Sequence, residues 1–482
     1  MVIDALKYQI LQQFGFVPTE EQGQALDAFA RFLTDRDPHA VMILRGSAGT
    51  GKTSLSGAIV RTLKAIRQKV MLLAPTGRAA KVFSLNSGCP AYTIHRRIYR
   101  EKSFAGVDGQ FNLNDNLFTD TLFMVDEASM ISNLGLGGGN FGSGCLLDDL
   151  VRFVYQGHND RLMLIGDKAQ LPPVGEESPA LNRMMLEGYG LKVYECDLNE
   201  VLRQSQESGI LYNATVIRQM ITHDDITQLP LIRFKGFADI VMMPGNELVE
   251  SLANSYYRVG QDETMVITRS NKRANIYNNG IRNMVLDRED ELSCGDMLMI
   301  VKNNYFWTEK ERNEAKEALN AIPPFLANGD RAKVLRVSRH MELYGFRFAT
   351  LLLQFPDYDN YEMSVTALLD TLQSEAPALT HEQQEQLFHG VEEDYQDVPL
   401  KADRMKAIRG DQYFNALQVK YAYAITCHKA QGGQWEHVYV DQGYMTDDML
   451  TPDYIHWLYT AFTRAKDKLF LVNWPKTQTE QA

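Results

Sequence analysis

The chain has 482 residues, 45% of them hydrophobic and 23% charged, which is enough for two or more domains with separate cores and too apolar for a disordered chain. Its longest apolar runs, "VMIL" and "VMLLA", fall far short of the roughly 20 residues that span a bilayer, and the start "MVIDALKYQI" lacks a basic region followed by an apolar one, so a soluble, cytoplasmic protein with no membrane partner is expected. The net charge of −12 conceals two opposite segments: residues 41–100 carry 11 Lys and Arg and no acid, while residues 348–400 carry 11 acids and no Lys or Arg.

Taken in chain order, "AVMILR" (40–45), "KVMLLAP" (69–75), "TLFMVDEA" (121–128) and "RLMLIGD" (161–167) read as strands, separated by amphipathic helices at 52–66, 77–85 and 146–156. Repeated βα units predict a parallel sheet covered on both faces, with ligands at the C-terminal ends of its strands. Residues 97–118 place Gly106 and Gly109 between Phe104 and Phe111, which fits a protruding hairpin or a plain surface loop. The G-x-G-x-x-G at Gly137, Gly139 and Gly142 follows no strand directly, so a flexible loop is expected there. "ETMVITRS" (263–270), "VKYAYAIT" (419–426), "HVYVD" (437–441) and "KLFLVN" (468–473) form a second apolar strand set and predict a second α/β layer. Between these runs, residues 291–410 show short strands with turn glycines and then an acidic helical stretch at 365–394, as in a small inserted β domain. Cys89, Cys145, Cys196, Cys294 and Cys427 are scattered with no C-x-x-C, so buried thiols are expected rather than zinc or disulfides.

"GSAGTGKT" fits G-x-x-x-x-G-K-[ST] between a strand and a helix, a pattern that average residue usage gives in roughly one or two per cent of chains this long. Gly46, Ser47, Ala48, Gly49, Thr50 and Gly51 would close backbone N–H groups around the phosphates of ATP, Lys52 would reach the β and γ phosphates, and Thr53 would offer a hydroxyl to Mg²⁺. In "FMVDEAS", Asp126 stands where a second Mg²⁺ anchor is needed and Glu127 where a group must orient or deprotonate water; in isolation such a pair is a helix N-terminal charge pair. Asp167 and Gln170 end another strand, where Gln170 could read the γ-phosphate. Thr19 and Gln22 in "PTEEQ" suit an adenine edge, a reciprocal helix cap, or both.

In order, "PTEEQ", "GSAGTGKT", "APTGRAAKVFS", "YTIHRRI", "VDEAS", "GDKAQLPPVG", "VLRQ", "ITRSNKRAN", "ITCHKAQGGQW" and "LYTAFTRAKDKL" resemble the motifs of superfamily 1 helicases, in particular the RecD-like and Dda-like branch. The resemblance implies two RecA-like P-loop NTPase domains with parallel sheets, at 1–195 and at 196–290 with 411–482. An inserted β-barrel-like domain at 291–410 and a hairpin wedge at 97–118 would complete the α/β fold. It implies that Arg203 and Arg464 reach across the cleft to the γ-phosphate, and it puts Gln434 where many relatives have a ribose-binding Glu. A strand path is implied over Pro75, Thr76, Arg78, Lys81, Thr93, His95, Arg96 and Arg97, and over Thr268, Arg269, Asn271, Thr426, His428 and Lys429 in the second domain. The implied partners are single-stranded DNA and duplex junctions, the branch implies 5′-to-3′ movement, and a monomer is expected. RNA as substrate, and a nucleotide-gated clamp or translocase that does not unwind, stay open; a small-molecule kinase would leave "ITCHKAQG" and "LYTAFTRAK" unexplained. The acidic segment 348–400 matches no family motif and is expected to lie away from the strand groove, excluding duplex or meeting a basic protein partner.

Overall fold

A computed structural model describes residues 2–104, 109–135, 142–200, 207–223, 226–314, 322–323 and 325–480. The first sheet is all parallel, in the order Ala91–Thr93, Lys69–Ala74, Thr121–Val125, Arg161–Gly166, Ala40–Gly46, Lys192–Leu198. Its strands alternate cores: Met42 and Leu44 pack with the helices Val2–Phe14, Glu20–Thr34 and Lys52–Ala65 on one face, while Val41 and Ile43 pack with Leu147, Leu150 and Phe153 of the helix Leu146–Gln156 on the other. Burial on both faces is why these strands read as unbroken apolar runs.

The second sheet is also all parallel, in the order Ala424–Thr426, Thr264–Thr268, Trp435–Asp441, Ala465–Val472, Ile240–Met243. Between its strands the chain closes a five-stranded barrel of Met297–Ile300, Arg331–Leu343, Phe346–Phe355, Tyr361–Leu368 and Leu417–Tyr421, and barrel and second sheet share one continuous core. The α/β class with two parallel-sheet domains and a small barrel thus matches the sequence expectation.

The run 419–426 is not one strand. It ends the barrel at Tyr421 and enters the second sheet at Ala424, and the amide of buried Asn278 pins the crossing by bonding Tyr423 N, Ala424 N and Ala424 O. The barrel therefore closes past residue 410. The first sheet's edge strand likewise runs to Leu198, past residue 195, and residues 365–368 are strand, with the acidic helix confined to His381–Asp394. Within 97–118, Tyr99–Phe104 and Gly109–Leu113 pair antiparallel, and the Phe111 ring lies 6.4 Å from Tyr305 beside the barrel. Gly106, Gly137 and Gly139 lie outside the described residues. Gly142 sits in a turn at φ +48°, where a Cβ would come 2.1 Å from the Asp149 carboxylate.

Candidate nucleotide site and strand path

The loop 46–51 joins the strand Ala40–Gly46 to the helix Lys52–Ala65, and it closes tightly because its glycines allow it. A Cβ on Gly46 would lie 2.8 Å from Thr50 Oγ1 and 2.9 Å from Lys52 Cγ, and Gly49 and Gly51 hold φ of +78° and +81°. Lys52 Nζ folds back to donate to Gly46 O and, at 3.0 Å, to Ser47 O. The Thr53 side chain, at the first turn of the helix, is exposed. Ser47 Oγ is buried with no hydrogen-bond partner, the kind of orphan that a phosphate oxygen satisfies. Gln22 supports the loop from behind: it is 1% exposed, its Oε1 caps Thr19 N at 3.0 Å and its Nε2 donates to Thr50 O at 2.9 Å. The helix-cap reading is therefore realised, and one N–H and one lone pair of the amide stay uncommitted.

Asp126 and Glu127 follow the neighbouring strand Thr121–Val125. Burial and the adjacent Glu127 carboxylate push Asp126 up to about 7, with Lys52 pulling the other way. A carboxylate in that position takes up a proton near neutrality or a cation, so the residues fit a Mg²⁺ held by Asp126 and Thr53. Among the described residues no group of three or more His, Cys, Asp or Glu could hold a metal. Glu127 holds a left-handed backbone, φ 52° and ψ 37°, rare for a non-glycine residue, with its N–H on Asp126 Oδ1 at 2.9 Å.

The helix Pro452–Phe462 of the second domain docks on this cleft. Tyr459 OH donates to Asp167 Oδ2 at 2.7 Å and accepts from the phosphate-loop amide Ala48 N at 3.0 Å. Thr460 Oγ1 accepts from Leu171 N at 2.8 Å, and Gln431 Nε2 donates to Leu171 O at 2.7 Å. Gln170 lies within the loop thus held, 7% exposed, and its Oε1 is buried without a partner. Sequence reasoning missed Tyr459, because a tyrosine in an apolar helix reads as core. Arg464 does not reach the phosphate loop in this conformation: it is 3% exposed and donates to Thr460 O, Gly433 O and Thr463 Oγ1. Gln434 is exposed just before the strand Trp435–Asp441, and Arg203 lies outside the described residues.

The strand-path residues divide. In the first domain Thr76 caps the helix Gly77–Ser87 just after Pro75, and Thr93 caps Ile94–Ile98. Arg78 lies over Trp435 of the second domain, and Arg96 over Phe325. Burial pushes His95 down to about 4, so it is neutral at physiological pH and brings no charge to a phosphate. Arg97 is packed between Tyr92 and Phe118, at 5.4 and 4.7 Å from their rings. Thr268 is fully buried in this structure, and its hydroxyl donates to Ser270 O at 3.1 Å. Arg269 lies over Tyr454, Thr426 precedes the helix Cys427–Ala430, and His428 is exposed.

One residue of the acidic segment lies against candidate strand-path cations. Asp357, in the turn Pro356–Tyr358 of the barrel, accepts from Arg78 Nη1 with both oxygens at 2.8 Å and lies 4.0 Å from Lys81 Nζ. In the second domain Asn271 Nδ2 donates to Glu375 O at 3.0 Å and Lys429 Nζ to Asn328 Oδ1 at 2.9 Å. The barrel thus sits on the candidate strand path because two of that path's cations and one of its amides find their acceptors there.

Residues 19–224 match the AAA domain family, and residues 421–472 match the UvrD-like helicase C-terminal domain family. A Methanocaldococcus jannaschii protein is 33% identical over 34% of this chain and 14% of its own length. The ATP-dependent RecD2 DNA helicase of Deinococcus radiodurans is 30% identical over 34% of this chain and 19% of its own length, so the matched stretch is a small part of either relative. Among solved structures, Pif1 helicase from Bacteroides with ADP-AlF3 and single-stranded DNA is similar over 97% of this chain and 95% of that chain, at 14% identity and a TM-score of 0.47. The matched domains fall in chain order on the two parallel-sheet units, and over the first of them the chain is similar to a RecD-type superfamily 1 helicase.

Proposed function

We propose that the chain is a cytoplasmic ATP-dependent DNA helicase that moves 5′ to 3′ on single-stranded DNA in replication, repair or recombination. The observation that carries this reading is the docking of a second parallel-sheet domain, through Tyr459 and Thr460, onto the phosphate loop and the loop 167–171 of the first. Lys52 and the loop amides bind the β and γ phosphates, Glu127 orients the attacking water, and Gln170 sits where it can sense the γ-phosphate. Bound Mg²⁺ would neutralise charge developing on the phosphate oxygens. When a phosphate oxygen takes the Ala48 N–H, Tyr459 must yield it, so nucleotide occupancy is felt by the helix that precedes Arg464. That exchange biases two arrangements of the domains, and a strand held by both is moved as they alternate. Strand-stimulated ATP hydrolysis tests the reading: turnover should rise with added single-stranded DNA, and turnover indifferent to any nucleic acid would sink it.

Tyr459→Phe is expected to lower kcat for strand-stimulated hydrolysis about tenfold while leaving KM for ATP unchanged or lower, since the loop amide is freed but the loop carrying Gln170 loses an anchor. A raised KM at unchanged kcat would contradict this role. Strand binding should also depend on pH. Burial pushes Lys429 and the neighbouring Lys420 down to about 8. Both are charged below that pH and neutral above it, so affinity for an oligothymidylate should fall as pH rises through 8, and Lys429→Arg should flatten the profile. A profile that Lys429→Arg leaves unaltered would remove Lys429 from the strand path.

A further inference from the structure

The Arg78–Asp357 pair joins a cation of the first domain to the turn of a barrel that lies 279 residues further along the chain. One guanidinium nitrogen, Arg78 Nη1, faces both carboxylate oxygens at 2.8 Å, an arrangement that the two free oxygens of a phosphodiester can satisfy as well. We propose that Asp357 is an internal surrogate for a strand phosphate: its carboxylate holds Arg78 and Lys81 in the strand-free protein and gives way to a phosphodiester oxygen when single-stranded DNA binds. The inference rests on the reading of Arg78 as a strand contact, and it adds how access to that site is controlled.

Several observations favour an exchangeable contact over a permanent strut. The side chains of Arg78 and Asp357 are 18% and 17% exposed, close enough to water for an anion to compete. The pair Arg282–Asp296 at the root of the barrel, 3% and 0% exposed and braced by Arg288, is by contrast sealed in. Asp357 sits in a three-residue turn between the strands Phe346–Phe355 and Tyr361–Leu368, so releasing it breaks none of the barrel's strand pairing. Arg78 Nε is buried with no partner, leaving one donor of the fork for a ligand that reaches deeper than a carboxylate. Elsewhere the barrel meets the path through neutral acceptors, Glu375 O and Asn328 Oδ1; among the described residues Asp357 alone among the barrel's carboxylates lies within 4.0 Å of a strand-path cation. The contact therefore replaces charge with charge where a phosphate would.

The test is binding of a fluorescent oligothymidylate at fixed low salt to the full chain and to D357N, R78Q and D357N/R78Q. D357N keeps the shape and removes the competing charge, so it should bind about tenfold tighter, while R78Q should bind more weakly and the double variant should fall between them, because Lys81 is still released. Weakened R78Q with D357N unchanged or weaker would overturn the surrogate and leave the strand path standing. An R78Q that binds like the unaltered chain would remove Arg78 from that path, and the surrogate with it. Amide hydrogen exchange on the unaltered protein decides the same point without a variant. Adding the oligonucleotide should slow exchange at 76–81 and speed it at 356–360, and slower exchange at both segments would contradict the proposal.

Discussion

Lys52→Ala is expected to lower ATP turnover by roughly a thousandfold or more, because in the proposed reading the ammonium is the positive charge that meets the β and γ phosphates. In the present structure that ammonium is held by Gly46 O and Ser47 O, within the loop itself. A phosphate therefore meets a charge already in place, and alanine removes it. Binding of an oligothymidylate should stay within a few-fold of the unaltered chain, since the strand path lies on other elements. Single-turnover hydrolysis together with fluorescence anisotropy checks both halves. Retained turnover would overturn the assignment of the phosphate loop, and loss of strand binding would mean that the two sites are not separable.

Glu127→Gln should reduce kcat by about 10²- to 10⁴-fold with KM for ATP changed only a few-fold. Glutamine keeps the size and the hydrogen bonding of the side chain but cannot draw a proton from water. The left-handed backbone at Glu127 sets the direction in which its side chain leaves the chain, with its N–H on Asp126 Oδ1 and the turn Ala128–Met130 following. Steady-state kinetics at saturating oligothymidylate would read the split. A variant with raised KM and normal kcat would make Glu127 a binding group rather than the one that prepares water.

The parallel sheets were legible because strands buried on both faces leave long apolar runs, as at Val41–Leu44 and Leu162–Ile165. Ala91–Thr93 is too short to leave such a signal. Lys192–Leu198 is an edge strand whose Glu195 and Asp197 pair with Arg45, so its charges masked it. The candidate phosphate loop and the Asp126–Glu127 pair could be picked out because their residue pattern is local in sequence. Tyr459 was not, because its partners Ala48 and Asp167 are 411 and 292 residues away and nothing in "LYTAFTRAK" points to them. The contact of the acidic segment with Arg78 and Lys81 was hidden for the same reason. Its net charge argued for repulsion from a strand groove, whereas one of its carboxylates lies on Arg78 and Lys81, two candidate strand-path cations.

The most direct test of the account is ATP-dependent separation of a DNA duplex carrying a single-stranded tail on either its 5′ or its 3′ side. The account predicts unwinding of the 5′-tailed duplex alone, abolished by Lys52→Ala. Unwinding from the 3′ tail alone would contradict the direction, and strand-stimulated hydrolysis with neither duplex separated would replace the helicase by a translocase or clamp.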